Sequence, residues 1–225
     1  MIGLFDPLFW MLVGPFLLLG VIAQVWVKSA YASAQRRRAP LSGAAAARHI
    51  LDSAGLQDVD IQVVRGHLSD HYDPRHKVLR LSQQVHQSQT LAAVGIAAHE
   101  AGHAIQDARA YGPLVIRNAA VPAAGFGSNA SFWLVILGII FSAPALLWAG
   151  VALFGCVVFF QLVNLPVEFN ASSRAKAQLA ELGIVDSQGM VYVNRVLSAA
   201  AMTYVAALLT AVMTLVYYIL IARRR

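Results

Sequence analysis

Charge is scarce in this chain. Only 12% of its 225 residues are Asp, Glu, Lys or Arg, about half the share of an ordinary soluble domain, and that shortage excludes a conventional water-soluble globule of this size. Cysteine is scarcer still: the single thiol, Cys156, lies in an apolar run, which excludes an intrachain disulfide framework and leaves the redox compartment open. Acids number 11 against 17 bases, a formal charge of +6, but the basic excess is not spread as a nucleic-acid face. Lys28 and Arg36, Arg37 and Arg38 follow one apolar block, and Arg223, Arg224 and Arg225 follow the last. That is the placement of juxtamembrane charge, and no nucleic-acid partner is expected.

What the chain has is apolar length, with 58% hydrophobic residues and a mean hydropathy of +0.61. Residues 8 to 27 carry no charge and are long enough to cross about 30 Å of hydrocarbon. A cleaved signal peptide fits poorly, because no basic segment precedes the stretch and the positive charges follow it. Residues 131 to 163 form a second uncharged run with Ser142-Ala143-Pro144 near its middle, which predicts two short spans in a hairpin broken at the proline. Residues 196 to 221 supply a last span. The positive-inside rule puts the side after the first span in the cytoplasm and the Met1 to Pro7 end outside. Arg223 to Arg225 oppose that orientation, but fourteen of the seventeen basic residues lie between Lys28 and Arg195.

Between the spans, Ser42 caps an alanine-rich segment ending at Gly55, which reads as a helix. Residues 59 to 64 and 77 to 82 alternate in the manner of strands and predict a two-stranded ribbon, joined by the polar connection Gly66 to Arg75. Ser88 or Thr90 can then cap a helix running to about Ala110, where Gly112-Pro113 follow.

That helix carries the chemistry. His99-Glu100-Ala101-Gly102-His103 places two imidazoles on one face, one turn apart, with a carboxylate beside them. Two histidines so spaced can chelate one Zn²⁺, and Glu100 can act as a base on water without ligating the metal. The flanking residues are nearly all Ala, Gly, Val and Ile, so the helix is expected to be buried. Burying Glu100 among unmetallated histidines would cost several kcal/mol. The extended metzincin pattern is excluded, because Gln106 and Arg109 stand where its glycine and third histidine belong. Asp107 shares the helix with both histidines and offers poor tetrahedral geometry. Glu168, among the few acids of the second half, is the better third ligand, with Pro166 available to begin a helix that projects it. Its alternative role is a glutamate favourable to a helix N-terminus.

These segments resemble the neutral zinc metallopeptidases of bacterial membranes, the YugP type, over nearly the whole chain. The resemblance rests on 68–74, on 78–82, on 98–106, on Glu168 to Ala175 and on Ala201 to Ala207. The layout is also similar to HtpX-like membrane proteases, in which a zinc helix is followed by a transmembrane hairpin and a helix bearing a glutamate ligand. By that resemblance His99, His103 and Glu168 bind zinc. Those proteases usually carry an aspartate four residues after the glutamate, orienting a histidine; Ser172 stands there in this chain.

The expected fold is mainly α: a multi-span membrane protein with a small β-ribbon and a zincin-like helix. Its expected organisation is an N-terminal span over 1–30, a metalloprotease region over 31–130, a transmembrane hairpin over 131–165, a third-ligand helix over 166–195 and a C-terminal span with basic tail over 196–225. The expected activity is hydrolysis of peptide bonds in membrane-associated or misfolded polypeptides by zinc-activated water, with Glu100 as general base. His71, Tyr72 and Arg174 are candidate donors to the oxyanion, and strand 77–82 could pair with an extended substrate at its edge. The expected partners are a polypeptide substrate and the lipid bilayer of the inner membrane, with the catalytic region facing the cytoplasm. Hydrolysis of a non-peptide amide or ester, and a non-catalytic zinc scaffold, are the alternatives.

Overall fold

A computed structural model describes residues 6–66 and 69–224. Residues 1–5 of the end expected outside, His67 and Leu68 of the polar connection, and Arg225 of the basic tail lie outside the described residues. In chain order the elements are α1 (Pro7–Leu12), α2 (Gly14–Gln35), α3 (Gly43–Ser53), β1 (Asp60–Val64), β2 (His71–Asp73), β3 (Val78–Ser82), α4 (Gln83–Gln87), α5 (Leu91–Ala108), α6 (Gly112–Ile140), α7 (Pro144–Glu181) and α8 (Ser187–Arg223). Among the described residues four helices, α2, α6, α7 and α8, are long and apolar enough to cross a membrane. The protein is a mainly α, multi-span membrane protein with a small sheet.

Several boundaries differ from the sequence expectation, each for a local reason. The first apolar block is two helices: Asp6 caps α1, and the chain restarts at Gly14, because the ring of Pro15 in the first turn of α2 is tolerated only at a helix start. The hairpin turns at the expected place, with Ser142 in the left-handed region just before Pro144. Its arms are not short, however; α6 has 29 residues and α7 has 38. Gly112-Pro113 open α6 instead of merely stopping α5, and Pro166 lies inside α7 and begins nothing. A proline interrupts one hydrogen bond, and a long helix packed on its neighbours can absorb that loss.

Packing divides the chain into two compact units. One comprises Met1–Ala23, Val115–Pro166 and Met202–Arg225. Within it Val135, Ile139, Leu147, Val151 and Ala222 form a cluster, and glycines allow close approach: a Cβ at Gly138 would meet Leu147 at 2.9 Å. Small residues at helix crossings are what lipid-embedded packing selects. In the same unit Tyr217 donates to the Asp6 carboxylate at 3.0 Å, beside the edge-on ring of Phe9.

The other unit comprises Gln24–Leu114 and Val167–Ala201. Its core gathers Ile50 and Leu51 of α3, Leu79 and Leu81 of β3, Val94 of α5, Leu179 of α7 and Val193 of α8. Ser42 caps α3 as expected, its hydroxyl accepting from the Ala45 N–H, and Gly55 at φ 77° turns the chain out of it. The Arg48 guanidinium then donates to the carbonyls of Leu56 and Val59 and fixes the entry to β1.

The ribbon is a three-stranded sheet of order β1-β3-β2, because the polar connection contributes a strand of its own. β1 and β3 run parallel, with Ile61 opposite Leu79, and β2 runs antiparallel to β3, with Tyr72 opposite Leu79. Parallel neighbours cannot be joined by a tight hairpin; the chain instead lays β2 on the far side of β3 and returns. Strand β3 is therefore central and paired on both sides, which removes the expected docking edge at 77–82. The free edges belong to β1 and β2.

Asp73 holds the return. Its carboxylate accepts from the backbone N–H groups of Arg75 and His76 and pairs with the side chains of His76 and Arg80. His76, then Arg80 and the backbone donors, hold the Asp73 carboxyl well below its ordinary value. A depressed folded value contributes stability that is present above the unfolded value near pH 4 and is lost as pH falls below it. Asp73→Asn should therefore flatten the fall in thermal midpoint of the solubilised protein below about pH 4. A midpoint that falls as steeply in the variant would assign acid sensitivity elsewhere.

Candidate metal centre

Thr90 is the cap that starts α5, its hydroxyl accepting from the Ala93 N–H. From there the helix is Ala- and Gly-rich, and nearly all of its residues from Leu91 to Gln106 are buried. The packing partner is the part of α7 after Pro166. At Gly102 the two backbones almost touch: a Cβ there would lie 2.7 Å from the carbonyl oxygen of Ala171. Only glycine permits this approach without displacing backbone.

The approach brings together His99, His103 and Glu168, whose ligand-type atoms all lie within 4.8 Å of one another. Glu168 Oε2 sits 3.3 Å from His99 Nε2 and 3.8 Å from His103 Nε2. Tetrahedral zinc with bonds of about 2.0–2.2 Å spaces its donors by roughly 3.3–3.5 Å; the Glu168–His99 separation meets that spacing, and the wider ones must draw in slightly around an ion. That oxygen is also buried and accepts no hydrogen bond of acceptable geometry from either ring. A buried carboxylate oxygen with no donor is costly, and a cation between it and the two imidazoles removes the cost.

Each histidine is held by its other nitrogen. Gln106, fully buried, has its side-chain oxygen 2.9 Å from His103 Nδ1. An amide oxygen only accepts, so Nδ1 carries the proton and Nε2 keeps its lone pair for the cluster. The Gln106 amide nitrogen donates to the Val167 carbonyl at 2.8 Å and to Asn170 Oδ1 at 3.0 Å. One side chain thus ties α5 to the turn of α7 that bears Glu168. Ser172 Oγ lies 3.1 Å from His99 Nδ1, so a neutral hydroxyl faces that nitrogen.

Glu100 lies next to His99 and half-buried. Burial pushes its carboxyl above the ordinary value, with the two histidines pulling the other way and the Glu168 and Asp70 carboxylates adding to the rise. For His103, burial alone would lower the imidazole; the adjacent Glu168 and Glu100 outweigh it and hold it raised.

The three expected oxyanion donors stand in different places. The Tyr72 hydroxyl donates to Asp107 at 2.9 Å, and burial, then that carboxylate, pushes the phenol well above its ordinary range. Arg174 Nε donates to Asn170 Oδ1 at 2.7 Å. His71 is exposed, with Nδ1 2.7 Å from the Ser69 carbonyl. Asp107, weighed from sequence as a poor ligand, is occupied by Tyr72 and stays out of the cluster. Sequence reasoning missed Gln106 and Asn170 as supports; a glutamine one turn after His103 on an otherwise mostly apolar helix was the available signal.

The chain matches the family described as "Putative neutral zinc metallopeptidase" over residues 9–223. It is 45% identical over 180 residues, 80% of each chain, to a Bacillus subtilis protein named "Putative membrane protease YugP". No solved structure matches it. With His99, His103 and Glu168 gathered into one cluster, and a family match over residues 9–223, the chain belongs to the neutral zinc metallopeptidase family, and zinc is its cofactor.

Proposed function

We propose that this protein is a zinc-dependent endopeptidase of the bacterial plasma membrane, acting on membrane-associated or misfolded polypeptides. His99, His103 and Glu168 hold the metal, and Glu100 is the general base. The observation that carries the reading is the buried, donor-free oxygen of Glu168 facing two Nε2 atoms whose rings are each held through Nδ1. Zinc, when bound, polarises the substrate carbonyl and lowers the pKa of water to near neutrality.

The chain's own groups do the rest. Glu100 takes the proton from water and passes it to the leaving amine. His71, Tyr72 or Arg174 donates to the carbonyl oxygen as charge develops, and Tyr72 must leave Asp107 to take part. An extended substrate would add to the free edge of β2, the strand that packs against α5. A structural zinc site is closed by four protein ligands, whereas the cluster among the described residues has three. The orientation with Lys28 and Arg36 to Arg38 inside puts the catalytic region in the cytoplasm.

The test is cleavage by the purified, solubilised protein of a casein-like unfolded chain against a small ester, before and after chelation. Loss of casein cleavage on chelation and its return with zinc are expected; ester turnover alone would favour the non-peptide reading, and zinc-independent cleavage would overturn both. Gln106→Leu should lower zinc affinity about 10–100-fold, the usual cost of losing an outer partner of a ligand histidine, while the helical circular dichroism signal persists. Unchanged affinity would leave Gln106 a packing residue only.

A further inference from the structure

Away from the metal centre, in the same unit, lies a cavity of about 820 Å³, within the usual range for small-ligand sites. Arg37, Arg38, Asp186, Gly189, Tyr192 and Arg195 line it. The Arg37 guanidinium sits 4.9 Å from the centre of the Tyr192 ring and that of Arg195 sits 5.9 Å from it. One aromatic ring thus lies beside two exposed cations, and cation–π attraction draws both toward it.

None of the three arginines has a carboxylate within ion-pair distance among the described residues. Asp186, the acid in the wall, turns its Oδ1 to the Gly189 N–H at 2.7 Å and caps the start of α8. The arginine backbone is anchored as well: Leu91 N–H donates to the Arg37 carbonyl, and Arg38 bridges to Thr90. Like charges gathered around one ring repel unless an anion joins them. Planar guanidinium groups match phosphate oxygens in pairs.

The position along the chain names the source. Arg37 and Arg38 follow α2, which ends at Gln35, and Arg195 immediately precedes the apolar stretch of α8, the juxtamembrane placement in which basic residues meet lipid headgroups. We propose that this cavity binds the phosphate of an anionic phospholipid headgroup, in the leaflet on the side of Arg36 to Arg38. Arg37 and Arg195 grip the phosphate oxygens, Tyr192 holds both guanidiniums, and Arg38 adds charge at the rim.

Native mass spectrometry of the full chain in detergent, titrated with phosphatidylglycerol, phosphatidylcholine or inorganic phosphate, tests the proposal. Wild type should retain phosphatidylglycerol in preference to phosphatidylcholine. The double variant Arg37→Ala/Arg195→Ala should bind it at least about tenfold more weakly, given the contribution of each basic residue near a charged leaflet. Arg223→Ala/Arg224→Ala, which removes the same charge from the other juxtamembrane cluster, should bind like wild type. Wild-type zinc content reports that each variant is folded; the single variants Arg38→Ala and Arg195→Ala give the same readout if the double is not. Equal binding by all variants, or equal loss in both doubles, would overturn a defined site. Inorganic phosphate displacing the lipid at similar concentration would overturn the lipid as its source.

Discussion

Glu100→Gln should keep its zinc and lose peptide cleavage by about 10²- to 10⁴-fold, the range that a positioned general base supplies. The amide matches the carboxylate in shape, so the half-buried place beside His99 is filled as before. It cannot accept a proton from water. The side chain is no member of the cluster of ligand-type atoms, which is why metal content should survive. Zinc analysis alongside cleavage of a fluorogenic peptide separates the two roles: undiminished cleavage would remove Glu100 as the base, and lost zinc would make it a ligand or a folding residue.

Glu168→Ala should have the opposite signature, losing the metal and, with it, all activity. Its oxygen stands 3.3 Å and 3.8 Å from the two imidazole nitrogens, and no other His, Cys, Asp or Glu joins those atoms among the described residues. Two histidines alone leave zinc short of its usual three protein donors. The loss in affinity should exceed the about 10–100-fold that a ligand's outer partner contributes. Glu168→Asp should lie between, because the carboxylate survives but is drawn back by one methylene. Full zinc occupancy in the alanine variant would refute this ligand set. His71, exposed, and Asp73, engaged with Arg80, are not drawn into the cluster to replace it.

The spacing of His99 and His103 makes their shared face legible in the sequence, since a four-residue step on a helix leaves no alternative geometry. Glu168 was reachable by elimination because acids are few. Its mode of delivery was not. Pro166 marks a helix start in most soluble chains, whereas α7 runs through it, and nothing local distinguishes the two cases. Alternation at 59–64 and 77–82 revealed strands, but neighbour order depends on where the connection goes, and the three-residue β2 is too short to show a period. Gln106 looked only like a departure from the metzincin pattern. Its partners Val167 and Asn170 lie more than sixty residues on, and such a pairing becomes visible only when α5 and α7 are side by side.

The helix that carries the histidines is built almost wholly of Ala and Gly around its motif, from Ala92 to Ala104. Such residues surrender no rotamer freedom on folding, so ordering this scaffold costs little side-chain entropy. The stiffness of the centre then comes from backbone meeting backbone at Gly102 and Ala171, where no side chain can rotate to absorb a change. A single added methyl group there becomes a displacement of one whole helix, and the distance between the histidines and their glutamate moves with it.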